Sequence, residues 1–213
     1  MRPLISLLVA AFCTFGADFK AGLDAYNRGD YAAALREWQP LADQGEAHSQ
    51  YNLGLLYARG KGVPQDYARA AEWYRKSADK GVVAAEYNLG VMYANGQGVP
   101  KNAQEAANWF RKAADHDMVA AEAGLGRIYY EAEGPSRNYA EAAQWYRKAA
   151  DAGVASAAFD LGVMYDLGQG VQPDFAEAMK WYRKAADEGY APALVNIGIL
   201  YYNQQGGGLV IGS

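Results

Sequence analysis

Apolar and polar positions along this chain recur with a helical period. Ala85, Leu89, Met92 and Tyr93 fall on one face of one segment, and Ala106, Phe110 and Ala114, spaced by four, fall on one face of the next. Small residues in these stripes let two helices approach closely. The pair of segments then returns along the chain. Gly54, Gly90, Gly126, Gly162 and Gly198 each lie 36 residues after the one before, each preceded by Leu or Ile and followed three residues on by Tyr57, Tyr93, Tyr129, Tyr165 and Tyr201. A second phrase, Trp73-Tyr74-Arg75-Lys76, recurs as Trp109-Phe110-Arg111-Lys112, Trp145-Tyr146-Arg147-Lys148 and Trp181-Tyr182-Arg183-Lys184. A two-helix unit at this period predicts an all-α solenoid of antiparallel helix pairs, in which each unit buries its apolar face only against its neighbours. The Leu-Gly glycine is expected where a helix packs without room for a side chain, and the Trp-Tyr pairs are read as core fillers.

Punctuation supports the same division. Gly60-Lys61-Gly62-Val63, Gly96-Gln97-Gly98-Val99 and Gly168-Gln169-Gly170-Val171 stop the first helix of a unit, and Asp66, Asn102 or Asp174 then caps the second. Gly81, Gly153 and Gly189 stop the second helix. The third unit departs twice: Asp117 replaces the stop glycine, and Ala132-Glu133-Gly134-Pro135 replaces the usual loop.

These residues closely resemble the Sel-1-like repeat (SLR) family, relatives of the tetratricopeptide repeat (TPR), whose units read Ala-x-x-x-Leu-Gly-x-x-Tyr, then Gly-x-Gly-Val, then Ala-x-x-Trp-Tyr-x-Lys-Ala-Ala. The resemblance implies a right-handed α-solenoid, an SLR/TPR-like superhelix, over residues 47–203, divided as 47–82, 83–118, 119–154, 155–190 and a partial unit 191–203. Residues 18–46 look like a TPR-type hairpin, with Tyr26 to Leu35 at its turn and Trp38 and Gly45 closing its second helix, placed to cap the array. Residues 204–213 form a Gly-rich tail. The family implies an adaptor or scaffold for protein–protein interaction rather than an enzyme. One branch linked to β-lactam binding carries a cysteine pair in each repeat, and this chain has none after its leader.

The ends and the charge narrow the setting. Met1-Arg2, an apolar run from Leu4 to Phe12 and a small-residue stretch ending at Ala17 read as a cleaved signal peptide over residues 1–17, so a periplasmic or secreted location is expected. The run is too short to cross a bilayer, which needs about 20 residues, so no integral span is expected after the leader is removed. Cys13 is the only cysteine, leaving no thiol chemistry in the mature chain. A net charge of -4 lacks the basic excess that neutralises phosphates, which argues against a nucleic-acid partner. His48 and His116 lie in different units, so neither a metal site nor a nucleophile–base pair assembles on paper, and no cofactor or catalytic residue is expected. Asp79, Asp115, Asp151 and Asp187 each stand four residues beyond the Arg of the second phrase, a spacing that predicts ion pairs along a charge-balanced convex face.

What remains is the face of each first helix that the repeating core does not use, which in the TPR relatives lines a concave groove. Counting from each Leu-Gly, the partner-binding candidates are Tyr51, Asn52, Leu55 and Arg59; Tyr87, Asn88, Val91 and Asn95; Arg127, Tyr130 and Glu131; Phe159, Asp160, Val163 and Asp166; and Asn196 and Ile199. Positions that differ between units are where a particular protein or peptide partner can be read. Asn52, Asn88 and Asn196 recur in one column, with Gly124 and Asp160 in the third and fourth units. This ladder of amides fits either the backbone of an extended peptide or backbone groups of a neighbouring helix. Two rival functions are an envelope glycan- or polysaccharide-binding module, with Tyr51, Tyr87, Tyr130 and Phe159 as stacking platforms, and a β-lactam-processing hydrolase. Residues 191–213 are almost uncharged and apolar at Ile197, Leu200, Tyr201 and Tyr202, which makes self-association at that end an expectation.

Overall fold

The computed structural model describes residues 17–132 and 137–204. The proposed leader up to Gly16, the loop residues 133–136 and the tail from 205 lie outside them. The described residues form eleven helices and no strand: α1 Phe19–Asn27, α2 Tyr31–Asp43, α3 Ala47–Arg59, α4 Tyr67–Ala78, α5 Val83–Asn95, α6 Ala103–Ala114, α7 Val119–Glu131, α8 Tyr139–Asp151, α9 Ala155–Leu167, α10 Phe175–Asp187 and α11 Pro192–Gln204. Each helix packs mainly on the one before and the one after, which makes the chain a helical solenoid.

The hairpins close the way the punctuation predicts. Gly60, Gly96 and Gly168 end α3, α5 and α9 in the left-handed conformation, while the side chains of Asp66, Asn102, Asn138 and Asp174 accept from backbone amides in the first turns of α4, α6, α8 and α10. The backbone amide of each capping residue also donates back to the carbonyl of the tyrosine that follows Leu-Gly, Asp66 to Tyr57 at 3.0 Å and Asn102 to Tyr93 at 2.9 Å. Asn138 makes the same bond to Tyr129 at 3.1 Å, so the third unit keeps the closure despite its altered loop. Asp117, in the stop-glycine position, adopts φ +58°.

The 36-residue clock has a packing cause. A Cβ on Gly54 would meet the Tyr74 ring at 2.5 Å, and one on Gly90, Gly126 or Gly162 would meet the ring of Phe110, Tyr146 or Tyr182 at 2.7, 2.6 and 2.6 Å. Each glycine is thus the seat for the second aromatic of the Trp-Tyr phrase in its own unit. Gly22 seats Trp38 in the same manner at the N-terminal hairpin, where the indole Nε1 donates to the Phe19 carbonyl at 3.2 Å. Alanines at 0% exposure, such as Ala70, Ala106, Ala142 and Ala178, bring the two helices to this distance.

The expected ion pairs from Arg75, Arg111, Arg147 and Arg183 to the aspartate four residues on are not formed. Each guanidinium instead donates to the tyrosine hydroxyl of the next unit: Arg75 to Tyr93, Arg111 to Tyr129, Arg147 to Tyr165 and Arg183 to Tyr201. Arg75 and Arg147 also lie over the Trp109 and Trp181 rings at 5.7 and 5.6 Å, and Lys76, Lys112 and Lys148 sit over Trp73, Trp109 and Trp145. The arginines of the recurring phrase are therefore inter-repeat ties, and its lysines at 76, 112 and 148 pack on the tryptophan of their own helix.

Candidate functional site

The odd-numbered helices from α3 to α11 carry all the partner-binding candidates. Only Asn52 among these is buried; the rest are half-buried or exposed, with Arg59, Asn95, Arg127, Glu131 and Asp166 the most open. Tyr51, Tyr87 and Phe159 lie in one column, each ring tilted against the aromatic of the paired even helix, Tyr74, Phe110 and Tyr182, at 5.8, 5.7 and 5.6 Å. Leu55, Val91, Val163 and Ile199 form a second, half-buried apolar column beside them. Arg59 donates to the Tyr26 hydroxyl at 3.1 Å and so ties the candidate face to the N-terminal hairpin.

The amide ladder has protein partners that sequence reasoning did not name. Asn196 Nδ2 donates to the Tyr182 hydroxyl at 3.0 Å, and Asn88 pairs with the hydroxyl of Tyr74. Asp160, in the same column, accepts from the Tyr146 hydroxyl. The column residue at 88, 160 and 196 thus satisfies the hydroxyl of a buried tyrosine of the unit before. Where the tyrosine is replaced by Phe110 no hydroxyl needs a partner, and the column residue is Gly124. At Asn88, Asp160 and Asn196 the ladder of the sequence is a set of tyrosine clasps in the structure.

The third unit breaks every column at once. Ala123 stands where the other units have Tyr51, Tyr87 and Phe159, Gly124 where they have the amide or carboxyl, and Arg127 where they have Leu55, Val91, Val163 and Ile199. A recess of about 210 Å³ results, shared by α5, α7 and α9 and floored by Phe110 of α6 and Tyr146 of α8. Tyr130, counted with the platforms, sits about two turns beyond Ala123 along α7, packs on Tyr139 at 5.3 Å and donates to Gln169 Oε1 at 2.9 Å. Ala120, Ala123, Gly124 and Ser156 line the recess and were not among the candidates. The signal of Ala123 and Gly124 in the sequence was smallness at positions where sister units carry Tyr or Phe, and Asn or Asp.

Electrostatics single out Asp160. Burial pushes its carboxyl up to about 6, against the Tyr146 hydrogen bond, which pulls it down; Glu131 adds to the rise and Arg127 opposes it. In the unfolded chain the same group ionises near 3.9, so folding holds a proton that the unfolded state releases between about pH 4 and 6. Stability contributed by this group is therefore present below pH 4 and lost as pH rises to 6. Asp160→Asn keeps a partner for Tyr146, as Asn88 does for Tyr74, and is expected to stabilise the protein by about 1 to 2 kcal/mol at pH 7. Urea melts at pH 7 and pH 3.5 check this: the gain vanishes at the lower pH, and an equal gain at both would mean that charge burial is not its cause.

The Sel1 repeat model matches residues 47–82, 83–118, 119–154 and 155–190. The chain belongs to the Sel1 repeat family. A protective antigen of uropathogenic Escherichia coli strains that displays an SLR fold superposes with a TM-score of 0.80 at 38% identity, over 88% of this chain and 42% of the antigen. A Sel1 repeat protein from Oxalobacter formigenes superposes with a TM-score of 0.77 at 35% identity, over 86% of this chain and 76% of that protein. A 66-residue stretch is 36% identical to DAP3-binding cell death enhancer 1 of Rattus norvegicus and of Mus musculus, covering 31% of this chain and 12% of those proteins. Sel1 repeats generally act as scaffolds for protein interaction. Among the described residues no group of three or more His, Cys, Asp or Glu is placed to hold a metal ion, and no helix is long and apolar enough to cross a membrane.

Proposed function

We propose that this Sel1 repeat protein is an exported adaptor, periplasmic or secreted, that holds a segment of another protein in a concave groove formed by α3, α5, α7, α9 and α11. The observation that carries the reading is the contrast between the two kinds of column. Scaffold positions repeat and are occupied: the even-helix aromatics fill glycine seats and their arginines clasp tyrosines. Positions on the odd-helix face vary from unit to unit and leave exposed, chemically different groups, Arg59, Asn95, Arg127, Glu131 and Asp166. A face that is rigidly supported and individually varied suits recognition of one extended partner.

Peptide display against the mature protein, followed by hydrogen exchange of the complex, tests the reading. Selected peptides are expected to protect amides of α5, α7 and α9 and to leave α4, α6, α8 and α10 unchanged. Protection confined to the even helices, or binding to purified cell-wall glycan with no peptide selected, overturns it in favour of the convex face or of the glycan module. Export is tested separately by N-terminal sequencing of protein from a Gram-negative periplasm, where a start near Ala17 or Asp18 is expected and an intact Met1 would count against it.

A further inference from the structure

The charges of the odd-helix face change sign from one end of the array to the other. α3 carries Arg59 and no carboxylate, α9 carries Asp160 and Asp166 and no cation, and α7 between them carries Arg127 and Glu131 on this face. The carboxyl of α5, Glu86, is 4% exposed and lies off the face, toward Lys112 and His116 of the α6 end. The phenols of the even helices mark the same gradient. Burial holds all three above the ordinary range of a phenol, and the charges beside their hydroxyls are Arg59 at Tyr74, Asp160 and Glu131 at Tyr146, and Asp166 at Tyr182. Asp160 and Asp166 each accept from the tyrosine beside them, which fixes two carboxylates on α9. Among the described residues none of these five charged groups is ion-paired, although Arg127 and Glu131 stand four apart on one helix, a spacing that favours a pair. The nearby Lys61 and Arg137 are taken up inside the fold, by the Tyr31 hydroxyl at 2.9 Å and the Ala132 carbonyl at 2.7 Å. Lys101 stands with Arg127 and Glu131 at a recess between the ends of α5 and α7.

Resting on the groove reading above, we propose that the polypeptide segment held across this face is itself dipolar, its acidic end over α3 beside Arg59 and its basic end over α9 beside Asp160 and Asp166. With Lys101 included, three cations face three carboxylates, so a uniformly charged partner loses at one end what it gains at the other. Nucleic acid and anionic polysaccharide are uniformly charged, and a neutral glycan gains nothing from the gradient. A polypeptide carries both signs in a fixed order. Helix axes in contact lie about 8 to 10 Å apart and an extended chain advances about 3.3 Å per residue, so the three repeats from α3 to α9 set the two charged ends about nine residues apart. Exposed pairs of this kind contribute little singly. Together they fix the direction and register of the segment and speed its encounter with the face. The carboxylates held by Tyr146 and Tyr182 are ordered before a partner arrives, which reduces what binding must pay in side-chain entropy.

The test selects displayed random dodecapeptides against the full mature chain and against two variants, Arg59→Glu with Arg127→Glu and Asp160→Asn with Asp166→Asn, whose folding is checked by thermal melts. The parent is expected to enrich peptides with Asp or Glu toward one end and Lys or Arg toward the other. The first variant is expected to enrich peptides that are basic throughout, and the second to keep the acidic end and lose the basic one. A synthetic copy of a peptide enriched on the parent is expected to bind it roughly tenfold more tightly, about 1.4 kcal/mol, than a copy with its charged residues changed to glutamine. The two copies converge at about 1 M salt, where screening leaves a reach of about 3 Å. In nuclear magnetic resonance spectra a nitroxide on the acidic end broadens amides of α3, and one on the basic end those of α9. Where one variant melts well below the parent, the other variant and the glutamine copy decide. Enriched peptides that bind the odd-helix face with no order of charge, or with the two labels reversed, overturn the dipolar partner and leave the groove standing. Enrichment of no peptide, or protection confined to the even helices, overturns the groove reading and this proposal with it.

Discussion

Gly90→Leu is expected to lower the stability of the protein by about 3 kcal/mol, at the upper end of what overpacking costs. The Cβ alone would stand 2.7 Å from the Phe110 ring, and Phe110 is itself 1% exposed, so the ring has nowhere to go without separating α5 from α6. Helix propensity works the other way, because leucine is a better helix former than glycine by close to 1 kcal/mol. Gly198→Leu isolates that second effect. Gly198 occupies the same place in the repeat, yet a Cβ there meets nothing within 4 Å. The substitution at 198 is therefore expected to be neutral or stabilising by up to about 1 kcal/mol while the one at 90 is severe. Thermal and urea melts of both variants decide it, and equal effects at the two sites would mean that the glycine clock reflects something other than a seat for an aromatic ring.

The clock was legible in the sequence because it has one local cause repeated at Gly54, Gly90, Gly126 and Gly162. A glycine that must admit a ring cannot be replaced without breaking a unit, so its period reads directly as the period of the fold. Hairpin closure was legible for the same reason: Gly60, Asp66 and their counterparts are chosen by backbone conformation and by orphan amides, both of which are local. The charge pairs were misread because spacing of four along one helix favours an ion pair only when nothing better lies across the interface. Here the Tyr93, Tyr129 and Tyr165 hydroxyls do, eighteen residues on, and Trp109 and Trp181 offer their faces to the same guanidiniums. That partner depends on how one repeat is rotated against the next, which no count along a single helix contains.

The odd-helix face was legible as a face but not as a site. Column counting placed Asn52, Asn88 and Asn196 together, and one further comparison ties Asn88 and Asn196, though not Asn52, whose counterpart is Trp38, to the tyrosine fourteen residues earlier: the phenylalanine at 110 goes with the glycine at 124. The recess itself is made by residues that are small. Ala123 and Gly124 carry no chemistry of their own, so a search for functional side chains passes over them, and their meaning appears only when the rings of Tyr87 and Phe159 are seen to cover the equivalent ground in neighbouring units. Arg127 was selected because it varied, and its rim position explains why a charge is tolerated in a column that is otherwise Leu, Val or Ile.

Adding a second helix to the fifth unit is expected to stabilise the protein by roughly 2 to 4 kcal/mol. α11 packs on α10 through Ala193 and Leu200, at 0% and 3% exposure, while Leu194, Val195, Tyr201 and Tyr202 are 62%, 63%, 44% and 50% exposed. Gln50, Glu86 and Ala158, three counterparts of Leu194, are buried in their own units and Glu122 is half-buried, so the place of Leu194 on the helix does not by itself set its exposure. A copy of residues 168–190 joined after Asn203 would set its tyrosine twenty residues beyond Gly198, the distance that separates Gly162 from Tyr182, and would lower that ring onto the open seat. Covering two or three large apolar side chains contributes about 1.5 to 3 kcal/mol each, and ordering the added helix offsets part of this. We propose that in the chain without this copy the same face draws in a second molecule. Sedimentation and melting across a concentration series then separate the cases: stability of the parent rises with concentration, and that of the extended protein is higher and concentration-independent. A parent that stays monomeric throughout, with an extension that changes nothing, would show that the outer face of α11 is content in water and that Gly198 is not a seat.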